Sequence, residues 1–330
     1  MSAPTNNWVL EMKKISFFRF FLAFIFLSAI VFLENSPLSA YDEIDVQNGG
    51  KITGRVVLKG TVPAPRIFSL VLYPFSSFCK GISDGDGNVL VEEFYVSAFG
   101  GLKDAVVAVQ QVKKGKPFAR INPKWVAEDC MFHPAEATFD EKYVKDADGQ
   151  RHHEHPLVSV VENGQMIAVE NLDPVAHNTQ IYQTGKGNII LNVPLPPVGT
   201  PDAKNGGGIL NFSEGKKIFQ MICGAHEFMQ SWGFAVDNPY YAKTKRDGDF
   251  TIDRLPPGTY RVTAWYPHIK PVEKEITVKA NETVDLNFEF DSKQVERPLY
   301  ESQAKFRIGP DALPNEHLRH HSPFRQRPPS

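Results

Sequence analysis

Three soft donors, Cys223, His226 and Met229, stand within the seven residues Cys223-Gly224-Ala225-His226-Glu227-Phe228-Met229. A thiolate, an imidazole and a thioether this close together suit copper that cycles between one and two positive charges. A trigonal site of that kind takes one thiolate, two imidazoles and a weak axial thioether. A second histidine must therefore come from elsewhere, and the candidate is His177 in Asp173-Pro174-Val175-Ala176-His177-Asn178. Singly, each residue has a plainer reading: a Cys at a strand end packs as a small hydrophobe, a Met fills the core, and a His is a surface or hydrogen-bonded core group. Their joint occurrence carries the copper reading. Zinc is the rival metal, and it would leave Met229 idle. A binuclear copper site needs a second Cys beside Cys223. A multicopper oxidase needs several paired-histidine segments, and His153-Glu154-His155 is a single one.

The elements that must position these donors are strands. Lys216 to Ile222 reads as a strand ending at Cys223, and Met166 to Asn171 as a strand just before His177. Ile52, Gly54, Val56 and Leu58 alternate with Thr53, Arg55, Val57 and Lys59, the period of a half-buried strand. Asp104 to Val112 is a buried-type strand, and Val158 to Val161 is another. After Asp237 the chain alternates turn and strand: Asp247-Gly248-Asp249 before Phe250-Thr251-Ile252, then Leu255-Pro256-Pro257-Gly258 before Thr259 to Trp265. Lys274 to Lys279 and Val284 to Phe290 complete this set. Residues 134–156 are charged and hold His152, His153 and His155, which reads as an inserted surface loop. No helix longer than a turn or two is expected, and the 25 Pro and 24 Phe agree with short strands and turns.

The segment Pro174 to Asn178 resembles the first-ligand loop of plastocyanin-type cupredoxins, in which Asn follows the ligand His. Cys223 to Met229 resembles their second-ligand loop, with the short Cys-x2-His-x2-Met spacing of amicyanin. The resemblance covers roughly residues 100–237. It implies a Greek-key β-sandwich holding one type 1 copper, with His177, Cys223 and His226 equatorial and Met229 axial. It also implies that Asn178 ties the two ligand loops together and that His226 reaches a partly exposed edge. Asp247-Gly248-Asp249-Phe250 and Leu255-Pro256-Pro257-Gly258-Thr259-Tyr260 resemble the carboxypeptidase regulatory-like (transthyretin-like) β-sandwich. That family's first strand often reads like Ile52-Thr53-Gly54-Arg55-Val56-Val57, so residues 51–60 either belong to the N-terminal segment or pair with the C-terminal sheet.

The expected organisation is therefore all-β. A signal peptide at 1–40 precedes an N-terminal β segment at 41–99, a cupredoxin-like domain at 100–237, a regulatory-like β domain at 238–292 and an unfolded tail at 293–330. The export reading rests on Lys13, Lys14 and Arg19, the apolar run Phe20 to Leu33, and small residues up to Ala40. Met12, directly before Lys13, is the expected true start. If the segment is not cleaved, it anchors the protein to a membrane. Removing it leaves 33 basic against 36 acidic residues, a net charge of −3, which gives no electrostatic footprint for nucleic acid. The expected location is periplasmic or secreted, where a disulfide is permitted. With Cys223 assigned to metal, Cys79 and Cys130 remain as a pair for that bridge; the alternative is a second metal site made by Cys130 and His133. Phe228, Trp232 and Phe234 are core residues or, failing that, an apolar docking patch.

Function follows from the site. One thiolate, two imidazoles and a closing Met leave no position for a substrate, so the expected role is transfer of single electrons and not catalysis. The partner would be a cytochrome or a membrane or periplasmic oxidoreductase. The alternatives are a non-redox binding module and a copper storage or delivery protein that also uses His152, His153 and His155. No nucleophile elbow, Walker loop or dinucleotide fingerprint is evident.

Overall fold

A computed structural model describes residues 41–119, 124–135, 143–145, 151–153, 158–184, 189–200, 206–209 and 217–297. Residues 1–40 and 298–330 lie outside it, and with them the expected signal segment and His317, His320 and His321. No helix among the described residues is long and apolar enough to cross a membrane. The chain divides into Met1–Asp42 and one compact unit, Glu43–Ser330, which holds the strands and the site.

The architecture is all-β. In the N-terminal part, β1 is Gly50–Lys59, β2 Arg66–Ser69, β3 Asn88–Val91 and β4 Val106–Val109. In the middle, β5 is Lys124–Glu128, β6 Met131–Pro134, β7 Val158–Glu162, β8 Met166–Asn171 and β9 His177–Gln183. Then come β10, Ile189–Leu195, β11, Gly206–Ile209, β12, Ile218–Cys223, and β13, Gln230–Val236. The last six are β14, Tyr241–Lys243, β15, Asp249–Leu255, β16, Gly258–Trp265, β17, Val272–Val278, β18, Thr283–Asp285, and β19, Phe288–Asp291. The one α-helix among the described residues is the four-residue turn Ser76–Cys79.

Two sheets enclose the core that carries the site. One runs β7-β13-β12-β9-β10, the other β11-β8-β5-β6. Their inward side chains form one cluster, with Trp125, Ile167 and Val169 from the smaller sheet facing Ile181, Phe219 and Met221 from the larger. One strand of the larger sheet, β13, is buried on its other face as well. Every residue of β13 is buried, and the strand sorts its side chains by size. Trp232, Phe234 and Val236 pack outward against Val106, Ala108 and Trp265. On the opposite face Gly233 and Ala235 leave room for the fully buried ring of Phe219. This is the two-residue period of a strand covered on both sides.

The outer layer is built from both ends of the chain. β14-β4-β16-β17 is an antiparallel sheet. In the next sheet β1 pairs antiparallel with β15 and parallel with β18 and β19. The alternation of Ile52, Val56 and Leu58 thus serves the C-terminal sheet, the second of the two options open at residues 51–60. The sheet boundary also departs from the expected start of the copper domain at residue 100. Val106–Val109 lies between β14 and β16 in the outer sheet, and a fully buried four-residue strand reads the same in either layer. Two further expectations change. The stretch 134–156, read as a loop, contains an antiparallel pair, Tyr143–Lys145 with Arg151–His153. The tail does not come loose at 293: Ser292–Gln294 is a 3-10 turn, the Glu296 N–H donates to the His268 carbonyl at 2.8 Å, and Arg297 Nε lies 2.8 Å from Glu93 Oε2.

The candidate metal centre

Strand register brings the donors together. β9 and β12 are antiparallel neighbours with Thr179 opposite Cys223. Cross-strand partners point to the same face, and every second residue shares it. His177, two before Thr179, therefore faces the same core as Cys223, and both are buried. The chain then doubles back through 224–229. The His226 N–H donates to the Cys223 carbonyl at 3.2 Å, Met229 N–H to the His226 carbonyl at 3.0 Å, and Cys223 N–H to the Met229 carbonyl at 3.0 Å. The Gly224 N–H donates to the Asn178 carbonyl at 2.7 Å, pinning this loop to the other. Gly224 is needed there, because a Cβ would stand 2.4 Å from Asn178 Oδ1 and 3.0 Å from Gln180 Nε2.

Three donor atoms converge. His177 Nδ1 and His226 Nδ1 are 3.3 Å apart, and Cys223 Sγ lies 3.8 Å from the first and 3.6 Å from the second. The point equidistant from the three is about 2.1 Å from each, a first-row metal–nitrogen length and slightly short of a metal–thiolate one. Each ring's other nitrogen has an acceptor: His177 Nε2 lies 2.8 Å from Asp173 Oδ2, and His226 Nε2 lies 2.8 Å from the Pro74 carbonyl. With each Nε2 turned to its outer acceptor, each Nδ1 faces the sulfur, where it would present a lone pair to a metal or, without one, share a proton with the sulfur. Outer partners fix metal-binding imidazoles in this way. The donor set therefore fits a soft or borderline metal.

Electrostatics favour the thiolate. Burial pushes the Cys223 pKa up, but hydrogen bonds from His177, His226 and the Asn178 N–H outweigh it and bring the pKa down to about 5. Burial alone would lower the His177 pKa. The Asp173 hydrogen bond and then Cys223 overcome it and raise the pKa to about 9.

The remaining expected residues are placed as follows. Met229 is wholly buried. Asn178 does join the loops, and it does so through its backbone: its N–H donates to Cys223 Sγ at 3.4 Å and its carbonyl accepts from Gly224, while its side chain turns to Asn192 at 2.9 Å. His226 is not at an exposed edge. It is 0% exposed, with the Pro74 carbonyl against Nε2 and the Phe75 ring 6.2 Å away. Nor do Phe228, Trp232 and Phe234 form a surface patch, since all three are buried in the two cores. Cys79 and Cys130 form a disulfide, which leaves Cys130 no thiolate to offer a metal. His133 is occupied by Glu128, 3.2 Å away, and the Pro134 carbonyl, 3.1 Å away. The side chains of His152, His153 and His155 lie outside the described residues.

Two contributors escaped the sequence reading. Asp173 is four residues before His177, and its only advance signal was that spacing. Pro74 lies 152 residues from its partner His226 and gave none.

Comparison with known proteins finds similarities for two parts of the chain. The carboxypeptidase regulatory-like domain family matches residues 235–291. Among solved structures, a copper-containing nitrite reductase from Thermus scotoductus SA-01 is similar at 11% identity and a TM-score of 0.23, over 37% of this chain and 24% of that one. A purple cupredoxin from Nitrosopumilus maritimus is similar at 16% identity and 0.21, over 35% of this chain and 100% of its own. The reduced Cu(I) form of an amicyanin variant is similar at 10% and 0.23, over 39% and 98%. No curated protein matches. By these matches the chain is similar to a carboxypeptidase regulatory-like domain over residues 235–291 and to cupredoxins over somewhat more than a third of its length.

Proposed function

We propose that the protein is an exported carrier of single electrons that holds one type 1 copper ion on His177, Cys223 and His226, with Met229 as the weak axial donor. The observation that carries this reading is the triangle of two imidazole nitrogens and a thiolate sulfur, each about 2.1 Å from a common centre, a bonding distance for a first-row metal. Copper bound to such a set gains and loses one electron. The chain's own part is to hold the ligands still. The two β-strands fix His177 and Cys223, the Asn178 N–H steadies the sulfur, and acceptors behind both rings keep each Nδ1 turned inward. A rigid, water-poor ligand shell suits a carrier better than an enzyme. With His226 covered, Pro74 and the half-exposed Phe75 offer an edge beside it for exchange with a cytochrome or an oxidoreductase.

The test is metal content together with a visible spectrum. Copper-loaded protein is expected to hold one copper per chain and to show an intense thiolate-to-copper charge-transfer band, both lost in Cys223→Ser. A colourless stoichiometric metal complex would overturn the type 1 assignment. Purified chain that takes up no metal would leave a non-redox binding module, and several coppers per chain would indicate storage or delivery.

A further inference from the structure

We infer that Asp173 is a positioning residue for the metal centre, and that it turns His177 toward Cys223 from a mount anchored by the Cys79–Cys130 bridge. The inference rests on the copper reading above and names a residue that the ligand set does not include.

Asp173 is 2% exposed, and a buried carboxylate is costly unless its oxygens are satisfied. Here they are. Oδ1 accepts from the Asp129 N–H at 2.7 Å; Oδ2 accepts from the Cys130 N–H at 2.9 Å and from His177 Nε2 at 2.8 Å. The backbone of Asp173 is held as well. Its N–H donates to Asn171 Oδ1 at 3.0 Å, and its carbonyl accepts from the Val198 N–H at 2.9 Å. Asn171 Nδ2 in turn donates to the carbonyls of Val175 and Pro196 at 2.8 and 2.9 Å. The carboxylate therefore has little freedom, and the ring it holds has little either.

The two N–H donors belong to an unusual turn. Asp129 and Cys130 both have left-handed φ, 53° and 56°, a conformation that costs non-glycine residues on the order of 1 kcal/mol or more each. It aims two successive N–H groups at one carboxylate. Cys130 is bridged to Cys79, and Cys79 ends the short helix Ser76–Cys79 that follows Pro74 and Phe75. The carbonyl of Pro74 is the acceptor for the other imidazole, His226. One covalent bridge thus links the supports of both rings, an anionic one behind His177 and a neutral one behind His226.

The charge difference makes the inference testable apart from simple support. A carboxylate behind a ligand imidazole strengthens it as a donor and favours the more positive metal. Removing the charge while keeping an acceptor should disfavour oxidised copper. Copper(II) and cobalt(II) would be titrated into full-length wild type, Asp173→Ala and Asp173→Asn, with affinity read by chelator competition and the midpoint potential measured on the copper forms. Asp173→Ala is expected to bind about 10- to 100-fold more weakly with an altered cobalt spectrum. Asp173→Asn is expected to bind with a smaller loss and to show a higher midpoint potential than wild type. If Asp173→Ala does not fold, Asp173→Asn alone carries the test through its potential. Wild-type affinity and potential in the variants would overturn the role of Asp173 and leave the copper reading intact. Wild-type protein that takes up neither ion would overturn the copper reading, and this inference with it.

Discussion

Breaking the Cys79–Cys130 bridge should lower stability by an amount that can be worked out from its place in the chain. The two half-cystines are 51 residues apart. For a loop of that length the chain-entropy relation gives about 14 cal/mol/K, or about 4 kcal/mol at 25 °C. In Cys79→Ala/Cys130→Ala little else is lost. Both positions are almost fully buried among Phe132, Met131 and Phe68, where a methyl group is at home, and no hydroxyl is introduced. The turn at 129–130 keeps its two hydrogen bonds to Asp173, so the folded state should relax only slightly. The change falls mainly on the unfolded ensemble, which gains freedom. Guanidinium unfolding of the oxidised wild type and of the double variant checks this. The midpoint is expected to fall, with an unchanged or steeper slope because the unbridged chain exposes more surface. For a unit of this size, about 4 kcal/mol corresponds to a melting point lower by roughly 8–16 °C. A double variant as stable as wild type would refute the reasoning, since an entropic constraint of this length cannot vanish unless the unfolded chain is already compact.

Glu93 gives a pH-dependent expectation. It sits in a buried cluster with Arg66, His268 and Arg297. Burial alone would raise its pKa, but the hydrogen bond and charge of His268, then Arg66 and Arg297, bring it below the ordinary 4.5. A depressed folded-state pKa adds stability that is present above the unfolded value and lost as pH falls through the folded one. Wild type should therefore weaken below about pH 4.5, whereas Glu93→Gln should be less stable at neutral pH, by about 3–5 kcal/mol, and flatter in acid. Parallel pH–stability curves for the two would count against the cluster. Gly233→Ala should be destabilising by about 1–3 kcal/mol or more, because its Cβ would stand 2.0, 2.3 and 2.6 Å from atoms of the buried Phe219 ring. An unchanged thermal midpoint would show that the ring moves freely.

The reach of the sequence is set by range along the chain. Cys223, His226 and Met229 were legible as a set because seven consecutive residues hold them. His177 was harder to connect, since the register placing Thr179 opposite Cys223 comes from pairing and not from any local pattern. Its likeness to a known ligand loop supplied the link. Asp173 stood in plain view in the same segment, yet a carboxylate four residues before a histidine means nothing until a turn 44 residues away supplies a donor to its oxygen. The cover over His226 was beyond reach for the same reason. Alternation identified β1 as a strand, but its partners, β15, β18 and β19, are chosen by tertiary fit. The uniform burial of Val106–Val109 is equally compatible with the site's sandwich and with the outer sheet where the strand lies.

The interleaving bears on how the site is kept rigid. The strand that follows the ligand loop, β13, turns Trp232, Phe234 and Val236 toward Val106, Ala108 and Trp265. Trp265 ends β16 and the valine and alanine come from β4, so the backing of the ligand sheet is made by chain from both before and after it. Packed interiors have the density of crystals and transmit strain. The loop 224–229 runs directly into β13, which is buried on both faces, so its C-terminal end cannot shift without disturbing two cores. A β-sandwich with one solvated face would let β13 breathe and the loop move with it. Here β4 and β16, the second within the stretch similar to the regulatory-like domain, cover that face of β13. The physical contribution of this layer is to hold β13, the strand into which the chain runs after the three converging donors.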